Sequence, residues 1–176
     1  DRRATAALVK ALGDRQPSVQ VLACLGLAQI DDPRVAPAVT AVVKDAARPD
    51  AVRAACAYAM GARRLASAAP VLLAALDDNR GETQRLAAWA LGELGTPKAL
   101  GPLLRAYFAR AGQSADELVW AVARAAGAGL APAPLADLSD YPIHAGKFDK
   151  DAAVAALPGS LPHAPALGKL VVDHAG

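Results

Sequence analysis

The side chains best suited to chemistry gather near the C-terminal end. Asp140, Tyr141, His144, Lys147 and Asp149 lie within one short stretch. Carboxylate, phenol, imidazole and amine are the groups that move protons in general acid–base catalysis. The same residue types also make an ordinary solvated loop, and Pro142 and Gly146 break any helix through this one. Tyr141, His144 and Lys147 are therefore kept as a secondary candidate loop and not as a catalytic set. The remaining histidines, His163 and His174, stand at no zinc-binding spacing, and no HExxH occurs. There is no GxSxG elbow, P-loop or GxGxxG cradle, and Gly127-Ala128-Gly129 is too short to hold a phosphate. The sequence thus assigns no catalytic residue, no cofactor and no metal ligand.

Two further residue types are worth weighing. Cys24 and Cys56 form no CxxC pair and have no histidine at metal spacing. A disulfide between them is open to an exported protein. The plain reading is two small apolar side chains in helix cores. Tyr58 and Trp89 occupy one repeat position, aligned with Leu25, and read as core or stacking contacts rather than a cofactor box.

The elements that carry these residues follow from composition and period. The chain has 176 residues, 54% hydrophobic and 20% charged, so it can bury a core. Roughly a quarter of them are alanine, the best helix former, and only 4% are aromatic, which argues for helices over sheet. The net charge of +2 exerts no strong pull on nucleic acid or an anionic membrane, and no apolar run is long enough to span a bilayer. The chain starts at Asp1 and ends at Gly176, which fits a mature form or part of a longer protein. Location is left open, with the cytoplasm favoured.

Three stretches, starting at Val19, Val52 and Thr83, align with one another, and a fourth begins at Leu118. Each opens with an Ala-rich run; the first three reach Ala28, Gly61 and Gly92, and the fourth ends at Gly127. In the first three a second apolar run follows, led by Pro37, Pro70 and Pro102. A fixed period of this size is the mark of stacked helix pairs. Asp32-Pro33 and Thr96-Pro97 place a capping residue before a proline, Asp50 is set to cap the helix of Val52, and Ser114 to Glu117 has capping-box spacing. First helices are expected near 18–30, 51–63, 82–94 and 115–127. Second helices are expected near 33–46, 66–77, 97–110 and 132–138. Residues 3–12 would be the second helix of an incomplete preceding unit.

The pattern resembles HEAT repeats of the short bacterial, phycobilisome-lyase-like type. It is carried by Val52-Arg53, Met60-Gly61, Ala69-Pro70, Leu91-Gly92-Glu93-Leu94-Gly95 and Gly101-Pro102-Leu103-Leu104. The resemblance implies an all-α fold, a right-handed α-solenoid of about four HEAT-like helix pairs with a C-terminal helical extension. It covers residues 1–139; residues 140–176 would be loop and short helices acting as a cap or linker. It also implies a ladder between repeats, an arginine of the first helix bonding an aspartate near the preceding loop. Arg53 and Asp50 match that pair best and Arg85 matches with a one-residue shift, while Gln20 departs from it and leaves the ladder incomplete.

The function expected of such an array is a non-catalytic protein–protein interaction scaffold whose partner is another protein. The alternatives are an accessory or lyase-like component of the bilin-lyase HEAT type, and a nucleic-acid-binding protein. The mixed charge of the outward second-helix positions speaks against the last. Those positions, Thr40, Lys44, Leu73, Asp77 and Arg105, make the expected protein-binding face. The opposite stripe, Val39, Val43, Leu72, Leu76, Leu104 and Phe108, is expected to be buried.

Overall fold

The computed structural model describes residues 2–78, 81–109 and 116–125. Among them every regular element is a helix. They are α1 (Arg2–Ala11), α2 (Pro17–Ala28), α3 (Val35–Lys44), α4 (Asp50–Ala62), α5 (Ala69–Ala75), α6 (Gly81–Leu94), α7 (Leu100–Ala109) and α8 (Asp116–Ala125). Short 3-10 turns, Ala66–Ala68 and Pro97–Ala99, lead into α5 and α7. The helix ends fall within about two residues of those expected from the periodicity. The expected helix over 132–138, the segment 140–176 and the capping residue Ser114 lie outside the described residues.

The chain divides into two compact units, residues 1–94 and 95–176. In the first, α2, α4 and α6 form a row in which α4 packs on both neighbours. The second-type helices pack most closely on the first helix that follows them: α1 on α2, α3 on α4 and α5 on α6. Residues 3–12, expected as the second helix of an incomplete preceding unit, form α1, which packs as a second-type helix and lays Leu8 over Gly26 of α2. In the second unit α7 and its leading turn pack on α8, and Leu103, Ala106, Leu118, Ala121 and Ala125 are buried.

Small side chains allow this packing. Every residue of α4 from Val52 to Gly61 is buried, and four of them are alanine. α6 answers with Ala87, Ala88 and Ala90. A methyl built on Gly61 would lie 2.6 Å from the Trp89 ring and 2.7 Å from the Ala90 Cα, so the helices meet with no space at that point. Beside it the Tyr58 and Trp89 rings stack with centroids 5.3 Å apart, both buried, as core. Burial pushes the Tyr58 hydroxyl pKa up from its ordinary value. Cys24 of α2 and Cys56 of α4 are joined in a disulfide with Cα atoms 5.0 Å apart. This corrects the reading of two free apolar thiols.

Burial also corrects the register of the third second-type helix. Val35, Val39, Val42 and Val43 are buried in α3, and Ala68, Leu72, Ala75 and Leu76 match them 33 residues on. In α7 the matching residues are Ala99, Leu103 and Ala106, 31 residues further. Pro102 is therefore not the counterpart of Pro70, and Leu104 is half-buried while Leu103 fills the core position.

The polar ties differ from those expected. Asp50 does not cap its own helix; its carboxylate accepts from the backbone N–H groups of Glu82 (3.2 Å) and Thr83 (3.1 Å), and from the Thr83 hydroxyl (2.5 Å), capping α6 instead. Arg53 leaves Asp50 alone, pairs with Asp78 and donates Nε to the Val43 carbonyl at 2.9 Å. Thr96 makes no side-chain cap bond. Asp32 accepts from the backbone N–H (2.9 Å) and guanidinium of Arg34, and from the hydroxyl of buried Thr5 on α1. Those bonds hold its carboxyl well below the usual carboxylate range, the Arg34 side chain contributing most, and raise the Arg34 pKa in return.

Two tests follow from this packing. Gly61→Ala should destabilise the protein by about 1–3 kcal/mol despite alanine's better helix propensity, because the backbone of α6 blocks the methyl. Gly101→Ala, where the methyl meets only the tip of Arg105 at 3.9 Å, should instead be neutral or stabilising by up to about 1 kcal/mol. Thermal melts of the two variants check the opposite signs. The second test concerns pH. A carboxyl with a depressed folded pKa adds stability that is complete above the unfolded value and lost as pH falls through the folded one. Melting temperature should thus fall on acidification below the ordinary carboxylate range, and Asp32→Asn should flatten that part of the profile while lowering the plateau at neutral pH.

Candidate interaction surface

α4 and α6 bury most of their residues against their neighbours, whereas α1, α3 and α5 keep an outward face. Between α1 and α3 lies an open groove of about 610 Å³. Its floor and walls are Ala6 and Val9 of α1 with Pro37 and Ala38 of α3; Lys10 and Arg34 stand at the rim. Small residues, Ala6 of α1 and Ala38 of α3, line it from both helices. The Thr5–Asp32–Arg34 bonds fasten its N-terminal end, tying α1 to the first turn of α3. The rim arginine is held in place by that bond, with Nε 2.9 Å and Nη2 2.7 Å from the carboxylate. Lys10 is exposed.

Each residue expected on the binding face has a defined place. Thr40 is half-buried and Lys44 exposed on α3; Leu73 is half-buried on α5, and Asp77 is exposed just beyond its end. α3 and α5 are neighbours, so these four belong to one surface. Arg105 is exposed on α7 in the second unit. The corrected register moves it out of their row. Its counterparts are Ala74 and Ala41, both exposed, whereas the counterpart of Thr40 and Leu73 is Leu104, half-buried like them. Tyr141, His144 and Lys147 lie outside the described residues.

The groove itself was not found from sequence. Attention rested on large or charged residues after the leading prolines, whereas the groove is lined by small ones before and beside Pro37. The available signal was the pairing of two Ala-rich second-type helices, α1 and α3, with little bulk on their facing sides.

Among the described residues no helix is long and apolar enough to cross a membrane. None of the curated proteins matches the chain. A family model described as HEAT repeats does match, over residues 46–127, the stretch from the turn before α4 to just past α8. With the all-helical fold, that match supports reading the chain as a HEAT-repeat protein.

Proposed function

We propose that this chain is a non-catalytic protein-interaction scaffold that docks its partner on the second-type helices, centred on the groove between α1 and α3. The observation that carries the reading is the groove: an accessible apolar trough with a cationic rim, on the side of the helices not used for stacking. An apolar floor with a polar border is the arrangement that anchors a partner side chain while excluding water. The Lys44, Leu73 and Asp77 surface extends the same face along α3 and α5. HEAT-type arrays commonly serve protein–protein contacts, which agrees with this choice over catalysis.

The test compares a charged groove with an intact one. Val9→Asp combined with Ala38→Asp places two carboxylates in the trough at half-exposed positions. Proteins cross-linked to the wild type should be lost from the variant, or bound at least tenfold more weakly, about 1.4 kcal/mol. The melting curve should stay within a few degrees of wild type. If Lys44→Glu with Leu73→Asp abolishes capture while the groove variant does not, the docking surface lies along α3–α5. Equal capture by both variants would overturn the second-helix face as the site.

A further inference from the structure

The Cys24–Cys56 disulfide crosses the junction between α2 and α4. Neither residue exposes any surface, and the bond uses both cysteines of the chain. The next junction, between α4 and α6, is the more extensively packed and tied of the two. Between α4 and α6 there are the Tyr58–Trp89 stack, the Asp50 cap on α6 and the Arg64–Glu93 pair, with Arg53 reaching Asp78 just before α6. Between α2 and α4 the side-chain ties include Arg48, just before α4, to Gln20 at 2.9 Å, and Arg63 to Asp31, whose side chain is 94% exposed. An exposed pair of that kind contributes little.

α2 is also the least buried of its row. Leu22 is 65% exposed, and Val19, Val21 and Leu25 are half-exposed. The corresponding run of α4 is wholly buried because α4 has a neighbour on each side. In a stacked array stability is a sum of local and nearest-neighbour terms, so a helix with one weak junction opens first. A covalent link across that junction acts where the non-covalent terms are smallest. It ties residues 32 apart in sequence, which removes much of the freedom the opened chain would gain.

We propose that this protein folds in an oxidising compartment and that the Cys24–Cys56 bond is a structural fastening that keeps α1–α3 docked on α4. This departs from the cytoplasmic location favoured by the sequence reading, since bonds of this kind persist where thiols are not kept reduced. The chemistry balances as a thiol–disulfide exchange. A disulfide of an oxidoreductase or of a small thiol oxidant accepts two electrons and two protons and leaves as two thiols. The Cys24 and Cys56 thiols lose them and join. Both sulfurs are inaccessible once α2 has docked, so the exchange precedes docking and the finished bond is shielded from reductant.

The experiment uses the full chain, made once through an exporting, oxidising route and once in a reducing cytosol of the same host. The exported protein should take no iodoacetamide in denaturant until a reductant is added. Reduction with a phosphine in denaturant, followed by refolding with both thiols free, should speed amide exchange in α1–α3 on the order of 100-fold while α4–α6 change little. The cytosolic protein, with both thiols free, should match the reduced form. Cys24→Ala with Cys56→Ala should reproduce that pattern; if this variant does not fold, the phosphine-treated wild type makes the same comparison. Full alkylation of the exported protein without reductant would overturn the proposal. So would unchanged exchange after reduction, or acceleration spread evenly over α1–α6.

Discussion

The structure of the first unit depends on how closely α4 can lie against α2 and α6. Alanine at four of the buried positions of α4, and Gly61 where the Trp89 ring and the Ala90 backbone press in, let the helices meet almost backbone to backbone. Everything that crosses between helices presupposes that approach. The disulfide needs Cα atoms 5.0 Å apart, and Asp50 can reach the first N–H groups of α6 only if the two N-termini are adjacent. Tyr58 and Trp89 fit as a stacked pair because they stand in a row otherwise made of methyl groups, which leaves room for two large rings side by side.

That same approach explains which features were legible in the sequence. Helices are written in Ala-rich runs punctuated by Gly and Pro, and among the described residues their positions agree with that reading. The core followed for Val39, Val43, Leu72 and Leu76 but slipped by one at Leu104. Pro102 is a conspicuous residue, yet burial tracks the apolar spacing and not the proline, and Leu103 is the residue that faces in. The cysteines were misread for a related reason. A separation of 32 residues carries no signature of its own; it becomes meaningful only because it is nearly one repeat, which puts both residues at similar heights on adjacent helices. The groove was invisible because its lining is defined by absent bulk.

The ladder between repeats shows how a shared geometry can be met by different residues. The position held by Gln20, Arg53 and Gln84 has one constant duty: its side chain donates to a backbone carbonyl just before its own helix. Gln20 bonds Asp14 O at 2.5 Å, Arg53 bonds Val43 O at 2.9 Å and Gln84 bonds Leu76 O at 2.6 Å. These carbonyls lie at or just beyond the C-terminal ends of α1, α3 and α5, where helices leave acceptors unmet. The second duty, a tie to the loop before the next first helix, varies. Arg53 meets the carboxylate of Asp78, whereas Gln20 accepts from Arg48, which also reaches the Leu12 carbonyl at 2.5 Å. The sequence departure at Gln20 therefore leaves no gap in the ladder, because the cation has moved to the loop. Arg85 pairs with Glu82 on its own helix.

These two constraints, close first helices and satisfied helix ends, set the outward rows of α1, α3 and α5 on which the proposed docking face rests. Their outward rows are modest. Thr40 and Leu73 are half-buried, and Ala41 and Ala74, though exposed, project only a methyl group. A surface of this kind presents few protruding anchors of its own; it offers recesses between helices and charges at their edges. Binding energy on such a face comes from side chains that the partner inserts, and the array supplies the shape that receives them. The fastening of Thr5 to Asp32 and Arg34 then acquires a meaning beyond stability. It fixes the spacing of α1 and α3, and with it the width of the recess between them.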